Sequence, residues 1–238
     1  MNRKTPSEHP RRTGSVGDEI GFISRTGSAE GRTLVLRVKI ADIDPPIWRE
    51  LSVPGEYTLG HLHVILQIAF GWENDHMHSF TIKSTQYGMT GMDFGFDDEE
   101  DIVDEDTVCL DDLGLRTHQK FRYLYDFGDS WEHEIAVSKI ISTGDEEGEP
   151  ALPLCLGGER AGPLEDSGGS WEYENTLQIL KDPNHAKYEE TREWTGDFDP
   201  ENFDLEEINS RLKHVFKPRP TRAKKAKASG GKEEQKPK

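Results

Sequence analysis

Cysteine is scarce in this chain, and long apolar runs are missing. Two cysteines, Cys109 and Cys155, in 238 residues cannot build a disulfide framework, and their separation fits no zinc-ligand spacing. That usage points to a reducing, cytoplasmic setting. No apolar stretch approaches the length needed to cross a bilayer, and the polar N-terminus has no signal-peptide core, so no membrane association is expected. Basic charge is also short. There are 29 Lys and Arg against 46 Asp and Glu, a formal net charge of −17.

The charge is unevenly spread. Residues 217–238 hold nine basic and two acidic residues, and residues 1–32 hold six and four, which leaves 33–216 at −26. An acidic core of that size repels nucleic acid and anionic membranes. The basic tail can make weak, non-specific nucleic-acid contact by counterion release, or it serves as a solubilising end.

Composition also sets the limits of the ordered part. Residues 1–32 are rich in Gly, Ser, Thr and Arg without periodicity and read as a disordered leader, and 217–238 as a basic disordered tail. Between them, 34–40 alternates as a strand, Asp44-Pro45-Pro46 turns the chain, and 47–53 returns. Thr58 is placed to cap a helix over 59–70, with Leu62, Ile65, Leu66, Ala69 and Phe70 on one face. A strand over 78–82 follows. The glycine-rich and then acidic stretch 88–106 reads as a mobile loop, with the acid run from Asp97 to Asp106 solvated. A short strand is predicted near 108–110, and longer ones over 121–125 and 131–141.

Beyond a polar loop, 155–169 is Gly- and Pro-rich and looks irregular. Helices are predicted over 171–181, from Asp182-Pro183 to about Trp194, and over 205–215 with Asp204 and Glu207 as a capping-box pair. Hairpin, helix and further strands in this order predict an α+β fold: a β-grasp-like, ubiquitin-like mixed sheet over 33–143, crossed by one helix. A C-terminal helical subdomain over 144–216 completes it.

The segment Tyr125-Asp126-Phe127-Gly128-Asp129-Ser130-Trp131-Glu132-His133 stands out. A hairpin turn needs only Gly-Asp, yet this one adds a second aspartate, a tryptophan and a histidine. With Pro45-Pro46-Ile47-Trp48-Arg49, Phe70-Gly71-Trp72 and His76-Met77-His78-Ser79-Phe80 before it, it forms an ordered series. Gly158-Glu159-Arg160, Pro163, Glu165-Asp166, Gly168-Gly169, Phe198-Asp199-Pro200 and Phe203-Asp204 continue the series.

Together these motifs resemble the plasmid pRi ORF-three-like family, whose members also carry the label TnpR as passenger proteins of an insertion element. The resemblance covers about 33–215. It implies an accessory protein of plasmids and mobile elements, found in chromosomes too, with no defined reaction. The resolvase sense of the label does not carry over, because a serine recombinase needs a nucleophilic serine among arginines and the acidic core offers none. The chain also departs from its relatives, many of which have a cysteine where Gly162 stands, a proline at Leu164 and a cysteine at Ser167. Only Cys155 remains nearby, which weakens any thiol-based mechanism.

Several residues are candidates for chemistry. His76 and His78, two apart in extended backbone, face one side and could grip a divalent metal, completed by Asp126, Asp129 or His133. The bland alternative gives one histidine to a loop and the other to a buried carboxylate. Asp126 and Asp129 could form a catalytic carboxylate pair or simply build the turn. Trp131 and His133 share a strand face, as a pocket wall or as core. Arg160 could recognise a substrate anion or pair with Glu159, Glu165, Asp166 or Asp126. The 157–169 loop lacks the lysine and serine or threonine of a phosphate loop.

Three functions follow. A non-catalytic binding or interaction domain, with a protein partner on the Asp126–His133 turn and the loop carrying Arg160, Glu165 and Asp166, ranks first. A metal-dependent hydrolase or nuclease using His76, His78, Asp126, Asp129 and His133 comes second. A mobile-DNA accessory factor acting through its basic tail and a protein partner is third.

Overall fold

The computed structural model describes residues 31–90, 102–142 and 152–216. The leader up to residue 30, the first part of the acid run and the basic tail lie outside these residues.

The described strands are β1 (Arg32–Ile40), β2 (Trp48–Pro54), β3 (His78–Ile82), β4 (Thr85–Gly88), β5 (Ile102–Asp104), β6 (Lys120–Tyr125), β7 (Trp131–Ser142) and β8 (Leu154–Glu159). They form one sheet in the order β5-β4-β3-β6-β7-β1-β2-β8. Helix α1 (Leu59–Phe70) follows the first hairpin, and α2 (Gly169–Lys181), α3 (Tyr188–Thr195) and α4 (Leu205–Val215) close the chain. The fold is therefore α+β with a mixed sheet. The narrower β-grasp expectation does not follow from this topology. β1 pairs antiparallel with both β2 and β7, and the one parallel pair among the described strands, β4 with β5, is at the sheet edge.

Alternation sorts the two faces. Leu36, Val38, Leu51, Phe80, Phe121, Tyr123, Ile135 and Val137 are buried on the inner face. The outer face is polar: Arg37 lies 3.2 Å over the Trp48 ring and Lys120 pairs with Glu134. Helix α1 covers the inner face. Thr58 accepts from the His61 N–H while the His61 ring accepts from the Thr58 N–H, a capping box with histidine in the usual glutamate place. Gly71 ends the helix in the left-handed region, φ 83°.

Several elements differ from the sequence expectation. Arg32 belongs to β1 rather than to the leader, and its guanidinium bonds Asp111. The 102–107 part of the acid run is ordered as β5 and a short 3-10 turn, with Glu105 buried. Near 108–110 the expected strand is replaced by an isolated bridge, Cys109 with Thr58, and a 3-10 turn that starts at Leu110. Helix α3 starts at Tyr188, because Asp182 and His185 close consecutive turns before it. The glycine-rich 154–159 segment is strand β8, paired with β2 around a bulge. A Cβ at Gly158 would stand 2.6–2.8 Å from Phe203, the Trp48 carbonyl and the Arg49 stem. Glycine there reports close packing, not a loop.

That packing centres on Arg49. Its guanidinium is buried and donates to four backbone carbonyls: Ala69 at 2.7 Å, Trp48 at 2.8 Å, Glu159 at 3.0 Å and Arg160 at 2.8 Å. Phe70 and Phe203 flank it at 5.0 and 4.9 Å. Burial lowers its pKa to about 10, which still leaves it charged at neutral pH. It joins the end of α1 to β2 and to the end of β8. Arg49→Met keeps the stem but orphans these carbonyls, with an expected loss of about 3–5 kcal/mol in urea unfolding. Arg49→Lys should fall between, since one ammonium cannot span four acceptors. A methionine variant within about 1 kcal/mol of wild type would remove the clamp from the argument.

Candidate functional site

The site forms where three connections meet at one end of the sheet: the loop before β3, the β6–β7 turn, and the 160–168 strap between β8 and α2. Asp126 builds the turn. It takes φ 56°, and its Oδ1 accepts from the Gly128 and Asp129 N–H groups. Asp129 reaches across, its Oδ2 accepting from the Gly168 N–H at 2.7 Å. Trp72 donates its indole N–H to the Pro163 carbonyl at 2.9 Å. Glu165 Oε1 accepts from the Tyr125 hydroxyl and from the Glu73 N–H, both at 2.9 Å. The strap is thus tied to the turn and to the end of α1 along its length.

His76 sits at the junction. Its Nδ1 is 3.6 Å from Asp126 Oδ2, and its Nε2 is 3.3 Å from Asp166 Oδ1 and 3.7 Å from Glu165 Oε2. The ring stands edge-on to Tyr125. Burial raises the Glu165 pKa, opposed by its hydrogen bonds from Glu73 and Tyr125. Neither His78, Asp129 nor His133 joins this group. The assembled set is His76, Asp126 and Asp166, with Glu165 alongside.

Beside the cluster lies a groove of about 730 Å³. Phe70, Leu164, Phe198 and Phe203 supply apolar lining, and Trp194, half-exposed on α3, stands at its edge. Glu73, Glu165, Asp204 and Glu207 also line it, against Arg211 and the fully committed Arg49. Glu165 belongs to both groove and cluster.

The other candidates have structural work. Trp131 is a packing anchor, tilted against Trp72 and edge-on to Tyr173. Arg160 pairs with Glu201 and donates to the Pro45 carbonyl, so it faces neither Asp126 nor the strap acids. His78 bonds Glu105 at 2.8 Å and stacks on His63 with ring centres 3.4 Å apart. His63 in turn bonds the Tyr123 hydroxyl, which Gln67 also reaches. Sequence reading passed over His63, Gln67 and Glu105. The polar His63 and Gln67 at i and i+4 within an apolar helix were the available signal. Cys155 is buried and its thiol pKa is raised by burial, the reverse of the shift that activates a cysteine.

His133 lies among Phe70, Trp72 and Tyr123, and its Nδ1 donates to the Trp131 carbonyl at 2.9 Å. Burial pushes His63 down to about 3, and His78 and His133 down to about 4, while it pushes Glu105 up to about 7. A lowered histidine gives stability that is present above its unfolded pKa of about 6.5 and lost as pH falls toward the folded value. Raised Glu105 runs the other way and loses its contribution as pH rises through about 7. It therefore offsets about one histidine on acidification, and the fold should weaken from pH 7 to 5. His133→Phe should remove about 2 kcal/mol of that loss, measured as urea unfolding free energies at the two pH values. Parallel pH slopes for variant and wild type would show that His133 is not held neutral.

Comparison with known proteins agrees with the order of motifs. Residues 32–207 match the model of the family described as plasmid pRiA4b ORF-3-like protein. An uncharacterised protein of Sinorhizobium fredii is 33% identical over 183 residues, covering 74% of this chain and 89% of that protein. The crystal structure of a protein of unknown function from Methanosarcina mazei Go1 superimposes with a TM-score of 0.64 at 36% identity, covering 75% of this chain and 97% of that one. Among the described residues no helix is long and apolar enough to cross a membrane. With the matched span including the sheet, the strap and the start of α4, the chain belongs to the plasmid pRiA4b ORF-3-like family.

Proposed function

We propose that this chain is a non-catalytic interaction module of a mobile-element accessory protein, and that the groove between α1, the strap and the α3–α4 region is where a protein partner docks. The observation that carries the reading is the groove itself: an aromatic lining rimmed by four carboxylates, with Trp194 half-exposed beside it. Exposed tryptophan next to an apolar cleft is the usual composition of a binding anchor. The distribution of duties supports it too. Asp126, Asp129, Trp131, His133 and Arg160 all hold the scaffold that shapes the groove, which leaves the groove rather than the turn to meet a partner.

The charge selects the partner's chemistry. Against Glu73, Glu165, Asp204 and Glu207 stands Arg211, because every Arg49 nitrogen is taken by backbone. The complementary segment presents an apolar or aromatic side chain flanked by Lys or Arg. Within this reading the 33–216 unit carries the interaction, and the basic 217–238 tail adds at most weak nucleic-acid contact.

A random peptide library selected on the tag-free protein tests this. Enriched sequences should pair an aromatic or aliphatic residue with basic neighbours. Trp194→Ala and Glu73→Lys should each weaken the best peptide about tenfold or more, the second also reducing its salt dependence. Absence of enrichment, or peptides indifferent to both substitutions, would defeat the proposal.

A further inference from the structure

We infer that His76, Asp126 and Asp166, with Glu165 beside them, bind one divalent transition-metal ion of the manganese-to-zinc series. One ligand atom from each of His76, Asp126 and Asp166 lies within 4.8 Å of the others. Nitrogen and oxygen ligands about 2.0–2.2 Å from a shared ion stand at most about 4.4 Å apart. Ligands arranged tetrahedrally stand closer, about 3.4 Å apart. Asp126 lies on the Nδ1 side of His76 while Asp166 lies on the Nε2 side, so closing onto one ion takes a turn of the His76 ring and shifts of up to about an ångström. An imidazole with carboxylates suits zinc, manganese or iron(II) better than calcium or magnesium, which favour oxygen alone.

The outer partners of these ligands point the same way. Asp126 Oδ1 is held by two turn N–H groups, which aims Oδ2 at His76. Glu165 Oε1 is held by Tyr125 and Glu73, which aims Oε2 at His76 Nε2, 3.7 Å away, where it is shielded and makes no hydrogen bond. Carboxylates are oriented by such secondary hydrogen bonds in metal sites. Three carboxylates around a single imidazole repel one another, and one imidazolium neutralises one of them. A divalent ion balances two and gives the Glu165 oxygen a partner.

Asp166 is 79% exposed at its side chain, so one side of the ion faces water. Glu165 also lines the groove, which brings that open side next to whatever docks there. The ligand set keeps His76 and Asp126 of the sequence expectation and replaces His78, Asp129 and His133 with Asp166. It stands independently of the docking proposal, since it needs no peptide.

The test is calorimetric titration of chelator-treated, tag-free full-length protein with manganese(II) and with zinc(II), alongside His76→Gln and Asp166→Asn. Asparagine tolerates the positive φ of 55° at position 166, so this variant leaves the strap intact. Asp126 is left alone because it builds the turn. The expected result is one ion per chain in the wild type and binding weakened tenfold or more in each variant. Metal-free melting temperatures should stay within about 2 °C of wild type. Two outcomes overturn the assignment. One is no saturable binding of either ion, and the other is equal binding by both variants, the mark of adventitious ions on an acidic surface. Peptide selection repeated with chelator reads the groove separately.

Discussion

The fold depends on a buried cation whose hydrogen bonds, among the described residues, all go to backbone carbonyls. Arg49 sits at the end of the inner face and donates four hydrogen bonds to carbonyls of α1, β2 and the β8–strap junction. Helix ends leave carbonyls unpaired, and β8 runs out at the same place, so several backbone acceptors would otherwise be buried without donors. A planar guanidinium with fixed, divergent donors can satisfy them together, and a lysine cannot. With the carbonyls as its counter-charge, the arginine positions the strap directly. The Arg160 carbonyl is clamped, Trp72 takes Pro163 three residues on, and Gly168 meets Asp129. Gly162 packs against the Phe70 carbonyl so closely that a Cβ would collide with it.

Much of this architecture was legible in the sequence, for identifiable reasons. Strands β1, β2, β3, β6 and β7 and helix α1 each carry a complete local signal: alternation, or an apolar stripe with a capping residue before it and glycine after. Strand β8 did not, because Gly157 and Gly158 read as punctuation. Their meaning lies in the ring and carbonyl that approach them from distant residues. Strand β5 and Glu105 were hidden in an acid run whose composition suggests solvent. Only the tertiary pairing with β4 and with His78 makes that stretch ordered. The start of α3 was misplaced because Pro183 fits a helix start and a turn equally well.

The candidate site shows the same division. Sequence spacing drew attention to the 125–133 turn and the 158–169 loop, which the fold brings into contact through Asp129 and Gly168. It could not say which polar residues face inward. His76 and His78 are two residues apart and have opposite surroundings. His78 stacks on His63 in a dry network, whereas His76 stands half-exposed among carboxylates. Period-two reasoning requires continuous strand, and β3 begins only at His78. One irregular residue step before the strand is enough to separate their roles.

Tyr125 marks the boundary between these environments. Its ring stacks on Trp72, centres 4.7 Å apart, and borders the buried histidines, while its hydroxyl leaves the core to bond Glu165. Burial and the neighbouring Glu165 push its pKa far up, so the hydroxyl is a fixed donor at any physiological pH. A neutral, permanent donor has a consequence for the acid it holds. It orients Glu165 without cancelling its charge, and the negative potential at the groove edge persists. An arginine or lysine in the same place would have satisfied the carboxylate and erased that field. The dry aromatic core therefore ends in a charged, oriented rim. The groove and the His76 cluster proposed above both lie at this end of the sheet rather than on its polar outer face.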